Sequence, residues 1–431
     1  MNFQKTIVVC CFLSELLIVN GQEHPGFKVI GRHLYDQCGE KVILRGISNP
    51  NIWFEQDGIP RYAEITQTGA NTVRIVWQTY GAAENLDEAI ANCIAENMIP
   101  MVELHDATGD WSKLQDCVDY WVSDDVVEVI QLHEEYLLIN IANECGDYNV
   151  SSTAFRTGYT SAVNQMRTAG IHVPLIIDGT DWGKNINILQ SQGPALIEAD
   201  PDHNLLFSVH MWWPEMYGYT ESDIADEIAE SVEQGLPLIV GEFSQMHGSC
   251  SDNTITPSNS IAYNTITHEC QENQIGYIAW SWFGNCNPFW DMTTNGTHET
   301  LYDWGLEVAV TDDNSITNTS IRPYQIVNGI CNPDGIEDTE SSTHESFVLL
   351  QNTPNPFGSI TTIRYRLFDN AHTELKIFNF QGQEIRSLVN TSQCPGEYAI
   401  AFSAENLEAG IYFYTIRVNG MQESAKMILT K

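Results

Sequence analysis

Basic residues are scarce: 19 Lys and Arg stand against 57 Asp and Glu, a net charge of -38 over 431 residues. A surface so poor in cations excludes a nucleic-acid partner, whose phosphates need Lys and Arg. It also argues against an anionic polysaccharide. A neutral substrate fits, with the acidity serving solubility in salty surroundings. Disorder is the other consequence of such charge, but 43% hydrophobic and 10% aromatic residues exclude it for most of the chain. Long apolar runs are missing too. Residues 6–19 come nearest, yet Ser14 and Glu15 interrupt them, and the run falls short of the roughly 18–20 residues of a membrane span. With Lys5 before it, and with Val19 and Gly21 at the small-residue positions of a cleavage site ahead of Gln22, residues 1–21 read as a secretory signal peptide. No integral membrane segment is expected once it is removed. No CxxC or His-rich spacing marks a zinc site, and no GxGxxG follows the first strand, so neither a metal nor a cofactor is expected. Of 11 Cys, Cys10 and Cys11 leave with the signal, and the remaining nine are an odd number. At least one is therefore unpaired or bonded between chains, and the pairing cannot be read from spacing.

The length points to two or three domains. From Lys41 to Asn285 one pattern recurs eight times: a short run of Val, Ile and Leu ends on polar or aromatic residues, and a helix-compatible stretch follows. The runs are "KVILRGIS", "NTVRIVW", "IPMVELHD", "YLLINIANE", "PLIIDGTDW", "LLFSVHMWW", "LPLIVGEFS" and "IGYIAWSWFGN". Amphipathic stretches such as residues 86–98 and 221–235 lie between them. Continuous apolar strands alternating with helices predict parallel strands covered by helices. Eight units in about 250 residues is the count of a closed (β/α)8 TIM barrel rather than an open doubly wound sheet. The segment 319–330, "TSIRPYQIVNGI", is expected to supply the last covering helix. The predicted barrel domain spans 22–331. Residues 332–346, "NPDGIEDTESSTHES", are polar, acidic and aperiodic, as in a linker. Beyond them "TTIRYRLF", "HTELKIFNF", "EYAIAFSA" and "GIYFYTIRV" alternate as the strands of a small β-sandwich over 347–431. All 11 Trp lie before residue 305, so this tail offers no Trp face to a sugar.

A TIM barrel does its chemistry where strands end. Those ends carry Arg74, His105 with Asp106, Asn143 with Glu144, Trp182, His210 with Trp212 and Trp213, Glu242, and Trp280 with Trp282. A lone strand-end carboxylate is more often a helix cap, and Trp often plugs a core. Two glutamates ending strands four and seven, however, point into one cleft. Paired carboxylates across a cleft are the equipment of glycoside hydrolysis: one protonated to help the leaving oxygen depart, the other ionised to attack or to activate water. Arg74 can hold one of them ionised. Trp faces offer platforms for sugar rings. Metal binding by His105, Asp106 and His210 is the rival reading, and the set lacks the paired spacing of common metal motifs.

"INIANE" (139–144) and "IVGEFS" (239–244) resemble the acid/base and nucleophile segments of glycoside hydrolase family 5. "LRGISNPNIWF", "GANTVRIVW", "VELHDATG", "LIIDGTDWGKN", "FSVHMWW" and "IAWSWFGN" follow in the order seen in its bacterial β-mannanases of subfamily 8. The resemblance implies Glu144 as general acid/base and Glu242 as nucleophile of a retaining endo-β-1,4-mannanase, with the carboxyl groups about 5–5.5 Å apart. It implies Asn143 at the sugar 2-hydroxyl and Arg74 beneath Glu242. His105 and His210 would line the subsite before the cleavage point, and Trp280 would stack under its sugar. Two departures stand out: Trp212 takes the place of a Tyr that contacts the nucleophile, and Cys145 that of a Trp beside the acid. The substrate implied is a β-1,4-linked polysaccharide (mannan, galactomannan or glucomannan), with β-glucan, cut by an endo-β-1,4-glucanase, as the alternative. A non-catalytic surface polysaccharide-binding protein is the reading from another class.

"LLQNTPNPFGSITTIRYRL" (349–367), "GIYFYTIRVNG" (410–420) and the final "KMILTK" are similar to the C-terminal sorting domain of the type IX secretion system of Bacteroidetes. That likeness implies the secretion machinery as a partner, and a product exported across both membranes and then released or held at the surface. An accessory carbohydrate-binding sandwich is the competing reading of the same residues.

Overall fold

In a computed structural model, residues 24–252, 254–331 and most of 347–430 are described. The signal peptide and linker readings fall outside them. The chain divides into two compact units between Pro333 and Asp334.

The first unit opens with three short antiparallel strands, β1 (Lys28–Ile30), β2 (His33–Tyr35) and β3 (Lys41–Val42). Eight parallel strands then close into a barrel: β4 (Arg45–Asn49), β5 (Thr72–Trp77), β6 (Ile99–Leu104), β7 (Leu138–Asn140), β8 (Leu175–Asp178), β9 (Leu205–His210), β10 (Leu238–Glu242) and β11 (Gly276–Ala279). All eight predicted runs supply a barrel strand. The first run is split: Lys41 and Val42 pair with β2, and the barrel strand starts only at Arg45.

The period of two along each strand divides the core. Val73, Ile75, Val102, Leu104, Ile139, Ile177, Phe207, Val209 and Val240 pack outward against helices. The helix Glu221–Glu233 shows how such a helix is specified. Thr220 and Asp223 form a capping box at its start, and Ile224 and Ile228 are its buried stripe. Alternate residues Ile99, Met101, Leu138, Ile176, Leu206, Ile239 and Ile278 form a separate floor cluster, closed by Phe27, Leu34 and Val42 of the N-terminal segment. Further along the same inward rows the residues turn polar: Arg74, Glu103, Asn140, Asp178 and Ser208 are all buried. One strand-to-strand rhythm thus builds an apolar floor and delivers charged groups above it.

The expected last helix differs. Pro323 and Gly329 bound a helix of only five residues, Tyr324–Asn328, whose Ile326 joins the floor cluster. Buried residues of 303–316, namely Trp304, Val308, Ala309 and Ile316, pack into the outer core instead. Among the described residues there are two disulfides. Cys38–Cys331 ties the N-terminal sheet to the end of the unit, and Cys250–Cys286 joins the segments after β10 and β11. Cys93, Cys117, Cys145 and Cys270 are free and buried.

The second unit is two antiparallel sheets around one core. β12 (Phe347–Leu349), β13 (Ile360–Leu367) and β16 (Gly396–Ser403) make one sheet. β14 (Ala371–Asn379), β15 (Glu384–Gln393), β17 (Gly410–Val418) and β18 (Met421–Leu429) make the other, in the order β15-β14-β17-β18. Ile363, Tyr365 and Phe402 of the first sheet meet Leu375, Ile377, Tyr414 and Met427 of the second.

Candidate active site

Glu242 does not reach the barrel interior by simple alternation. Val240 faces outward, so a regular strand would send Glu242 outward as well. The register of β10 on β9 shifts between Val240 and Glu242, which sets Glu242 opposite His210. Such a bulge re-aims a side chain. Gly241 permits it, because a Cβ there would run into the Ser208 hydroxyl. Glu144 is aimed by different means. It follows β7 in the left-handed region, φ +48°, uncommon for a residue with a Cβ. Its N–H donates to Asp178 Oδ2 at 2.9 Å, and its carbonyl accepts from Gly109.

The two carboxylates are 7% and 3% exposed as residues, Glu144 and Glu242 respectively. One oxygen of each, with a ring nitrogen of His210, lies within 4.8 Å of the others. Their settings are unequal. Glu242 Oε1 accepts from Arg74 at 2.7 Å, and its Oε2 accepts from the Trp212 indole N–H at 3.1 Å. Glu144 Oε1 meets His210 Nδ1 at 2.9 Å, and among the described residues no hydrogen bond to Oε2 is found. Arg74 also donates to Asn143 Oδ1 at 2.6 Å, while Asn143 Nδ2 donates to Thr108 at 2.8 Å. Arg74 thereby fixes both Asn143 and Glu242 from below.

Charge is dense here. Burial works against the Arg74 cation, but Glu103 and Glu242 outweigh it and raise its pKa. Burial likewise opposes protonation of His210; Glu242, Asp178 and Glu144 overcome it and push the imidazole up to about 10. The surrounding anions thus favour the protonated form of His210. His105 is raised in the same sense, with burial outweighed by Glu103, whose Oε1 lies 2.9 Å from its Nδ1. Asp178 is lowered, because His210 more than offsets burial. Burial lifts the Glu242 carboxyl above its ordinary value, against the pull of His210 and Arg74. Glu144, His210 and Glu242 are the one convergence of metal-type donors among the described residues. The positive charge at that point comes from His210 and Arg74.

The rim is aromatic. Trp280 is nearly buried, stacks on His105 with ring centres 5.5 Å apart, and is steered by its N–H to Asn285 Oδ1. Trp53 meets His105 edge-on. Trp182 stands farther out, 38% exposed, with Lys184 over its ring and its main-chain N–H donating to the Gly146 carbonyl. Other strand-end candidates lie elsewhere. Asp106 caps Thr79, Trp213 stacks on Tyr219 in the outer core, and Trp282 is fully buried on Gly296. Cys145 is fully buried, and burial pushes its thiol up to about 12. It packs the core and offers nothing to the cleft. Sequence reasoning missed Asp178 and Glu103, which complete the charge network. Their signal was present as inward positions, the last residue of β8 and the last but one of β6.

Residues 35–285 match the family model described as cellulase (glycosyl hydrolase family 5). Residues 353–430 match that of the secretion system C-terminal sorting domain. The tail is thus a type IX sorting domain, which marks the chain for export. Among the described residues no helix is long and apolar enough to cross a membrane. The chain is 30% identical to a mannan endo-1,4-β-mannosidase of Cellvibrio japonicus, over 73% of this chain and 73% of that one. It is 32% identical to another mannan endo-1,4-β-mannosidase, from Salipaludibacillus agaradhaerens, over 66% of this chain and 90% of the relative. The solved mannohexaose complex of a Thermomonospora fusca β-mannanase superimposes with a TM-score of 0.62 at 31% identity, covering 69% of this chain and 98% of the other. With eight strands, two facing carboxylates and a family match across the barrel in agreement, the chain belongs to glycosyl hydrolase family 5.

Proposed function

We propose that this chain is an endo-β-1,4-mannanase that works by retaining double displacement. The observation that carries the reading is the unequal pair of carboxylates. Glu242, gripped at both oxygens, is the nucleophile; Glu144, with one oxygen open, is the general acid/base. One oxygen of each lies within 4.8 Å of the other, a close approach that supports the short carboxyl separation of retaining enzymes, roughly 5–5.5 Å. Two carboxylates so close keep one proton between them, and Arg74 favours the charge on Glu242. Glu144 then gives its proton to the glycosidic oxygen while Glu242 attacks the anomeric carbon, and the C1–O bond breaks. Glu144, now ionised, takes a proton from water, whose oxygen displaces Glu242 and restores the original configuration.

The other residues serve binding. Asn143 Nδ2 has a second hydrogen for the sugar 2-hydroxyl. His105, His210 and Trp280 line the subsite before the cleaved bond, Trp212 orients the nucleophile, and Trp182 carries sugar beyond it. Mannan is the substrate favoured by the relatives, whose names specify mannan and whose solved complex holds mannohexaose. A neutral polymer also suits a chain of charge -38. Residues 1–21 act as the export signal, 22–331 as the catalytic domain, 332–346 as linker and 347–431 as the sorting domain. Reducing-sugar release from galactomannan beside carboxymethylcellulose tests the reading. Release from galactomannan that vanishes in Glu242→Ala supports it. Activity on carboxymethylcellulose alone makes the chain an endo-glucanase, and none on either polymer makes it a binding protein.

A further inference from the structure

Asp178 is fully buried at the end of β8, and the reaction as written does not use it. Burying a carboxylate is costly unless it is paired and hydrogen-bonded. Its partners say what it is for. Oδ1 accepts from Asn140 Nδ2 at 2.6 Å. Oδ2 accepts the main-chain N–H of Glu144 at 2.9 Å, at the very residue held in the left-handed region. The same oxygen lies 3.5 Å from His210 Nε2, a fully buried nitrogen with no hydrogen bond of its own. Across the ring, His210 Nδ1 lies 2.9 Å from Glu144 Oε1 and 3.5 Å from Glu242 Oε2. Asp178 therefore holds the Glu144 backbone directly and places its charge beside the ring of His210, whose other nitrogen meets the Glu144 carboxyl group.

We propose that Asp178 is a positioning residue of the reaction, which fixes the Glu144 main chain and holds His210 as a cation between the two glutamates. This deepens, and rests on, the assignment of Glu144 and Glu242 above. Three carboxylates face His210, each from a different strand end: Glu144 after β7, Asp178 on β8 and Glu242 on β10. Arg74 reaches Glu242 from the other side, and Glu103 with His105 stands behind Arg74. The imidazole value of about 10 agrees with this crowd of anions. If Asp178 only capped a backbone amide, Asn would serve equally, since its carbonyl accepts the same hydrogen bond. The charge is what Asn lacks. With its carbonyl kept on the Glu144 N–H, Asn sets only a neutral oxygen beside Nε2, so the ring loses the anion that favours its protonation and the nearer cation between the glutamates is lost. Both apparent ionisations of the glutamate pair then move upward.

The test is Asp178→Asn in the full chain. Both limbs of the pH–rate profile should shift to higher pH by about one unit, with roughly tenfold lower kcat at the wild-type acidic limb and little change in KM. In 15N-histidine NMR at pH 8, His210 should carry protons on both nitrogens in the wild type and on one in Asp178→Asn. An unmoved pH profile, or a neutral His210 in the wild type, overturns the proposal; the second measurement decides it even where the variant fails to fold. Inactivity of the wild type on every β-1,4-glycan would overturn the functional reading instead, and the NMR result would stand apart from it.

Discussion

Trp212 shows how one side chain can change the tuning of the proposed nucleophile, Glu242. An indole N–H donates to Glu242 Oε2 and has no lone pair or acidic proton to give back. Trp212→Phe removes that donor and should cost about tenfold in kcat with the fold retained, a charged acceptor losing roughly 1.5 kcal/mol. Trp212→Tyr restores a donor, and recovery in the same kcat assay checks whether reach matters. Arg74 lies under the same carboxylate. Arg74→Ala takes the guanidinium from buried Glu103 and Glu242 and leaves them only the imidazoles of His105 and His210, so unfolding in denaturant should show a loss of about 3 kcal/mol along with activity. His210 adds a pH dependence to stability. Its pKa is about 10 in the fold against 6.5 for a free imidazole. Its contribution is complete below pH 6.5 and is lost as pH rises through about 10. His210→Asn should flatten the fall in Tm over that window. At this scale the sequence was legible where a residue ends a strand: Asn143, Glu144 and His210 could be seen there. Asp178 could not, because the run was read through to Trp182, so the true last residue of β8 looked like a polar interruption within it.

Gly241 governs an element rather than a contact. The bulge it permits turns β10 so that a carboxylate due outward comes inward. Gly241→Ala would force Ser208 or the strand to move, and a displacement of about 1 Å at Glu242 costs roughly a hundredfold in kcat. Turnover measured beside circular dichroism separates this from unfolding; unchanged turnover would mean that the bulge tolerates a methyl group. The barrel strands were legible because parallel strands covered on both faces are nearly continuous apolar runs. The floor sheet was not, since strands of two or three residues are too short to show any period. In the tail, β13, β14, β16 and β17 were legible, but β15 and β18 were not. Both are edge strands of their sheet and rich in polar residues, which blurs alternation.

Over the whole molecule, a charge of -38 is a standing self-repulsion. Raising NaCl from about 0.05 to about 0.5 M shortens the screening length several-fold, so Tm should rise with salt. A Tm indifferent to salt would show that the charge is already neutralised locally. Each unit has its own apolar core, so removal of residues 347–431 should leave activity on soluble galactomannan unchanged. A second unit was legible from composition, because Trp ends at Trp304 and an acidic aperiodic stretch follows at 332–346. What composition could not reveal is the bond between Cys38 and Cys331, 293 residues apart, which joins the start of the barrel unit to its end. Between those two cysteines the polypeptide is a ring. A protease that nicks one exposed loop of the ring cannot release a fragment, because both pieces stay joined through sulfur. For an enzyme exported among other hydrolases, a single cut then leaves one molecule, with the barrel free to stay closed around its glutamates.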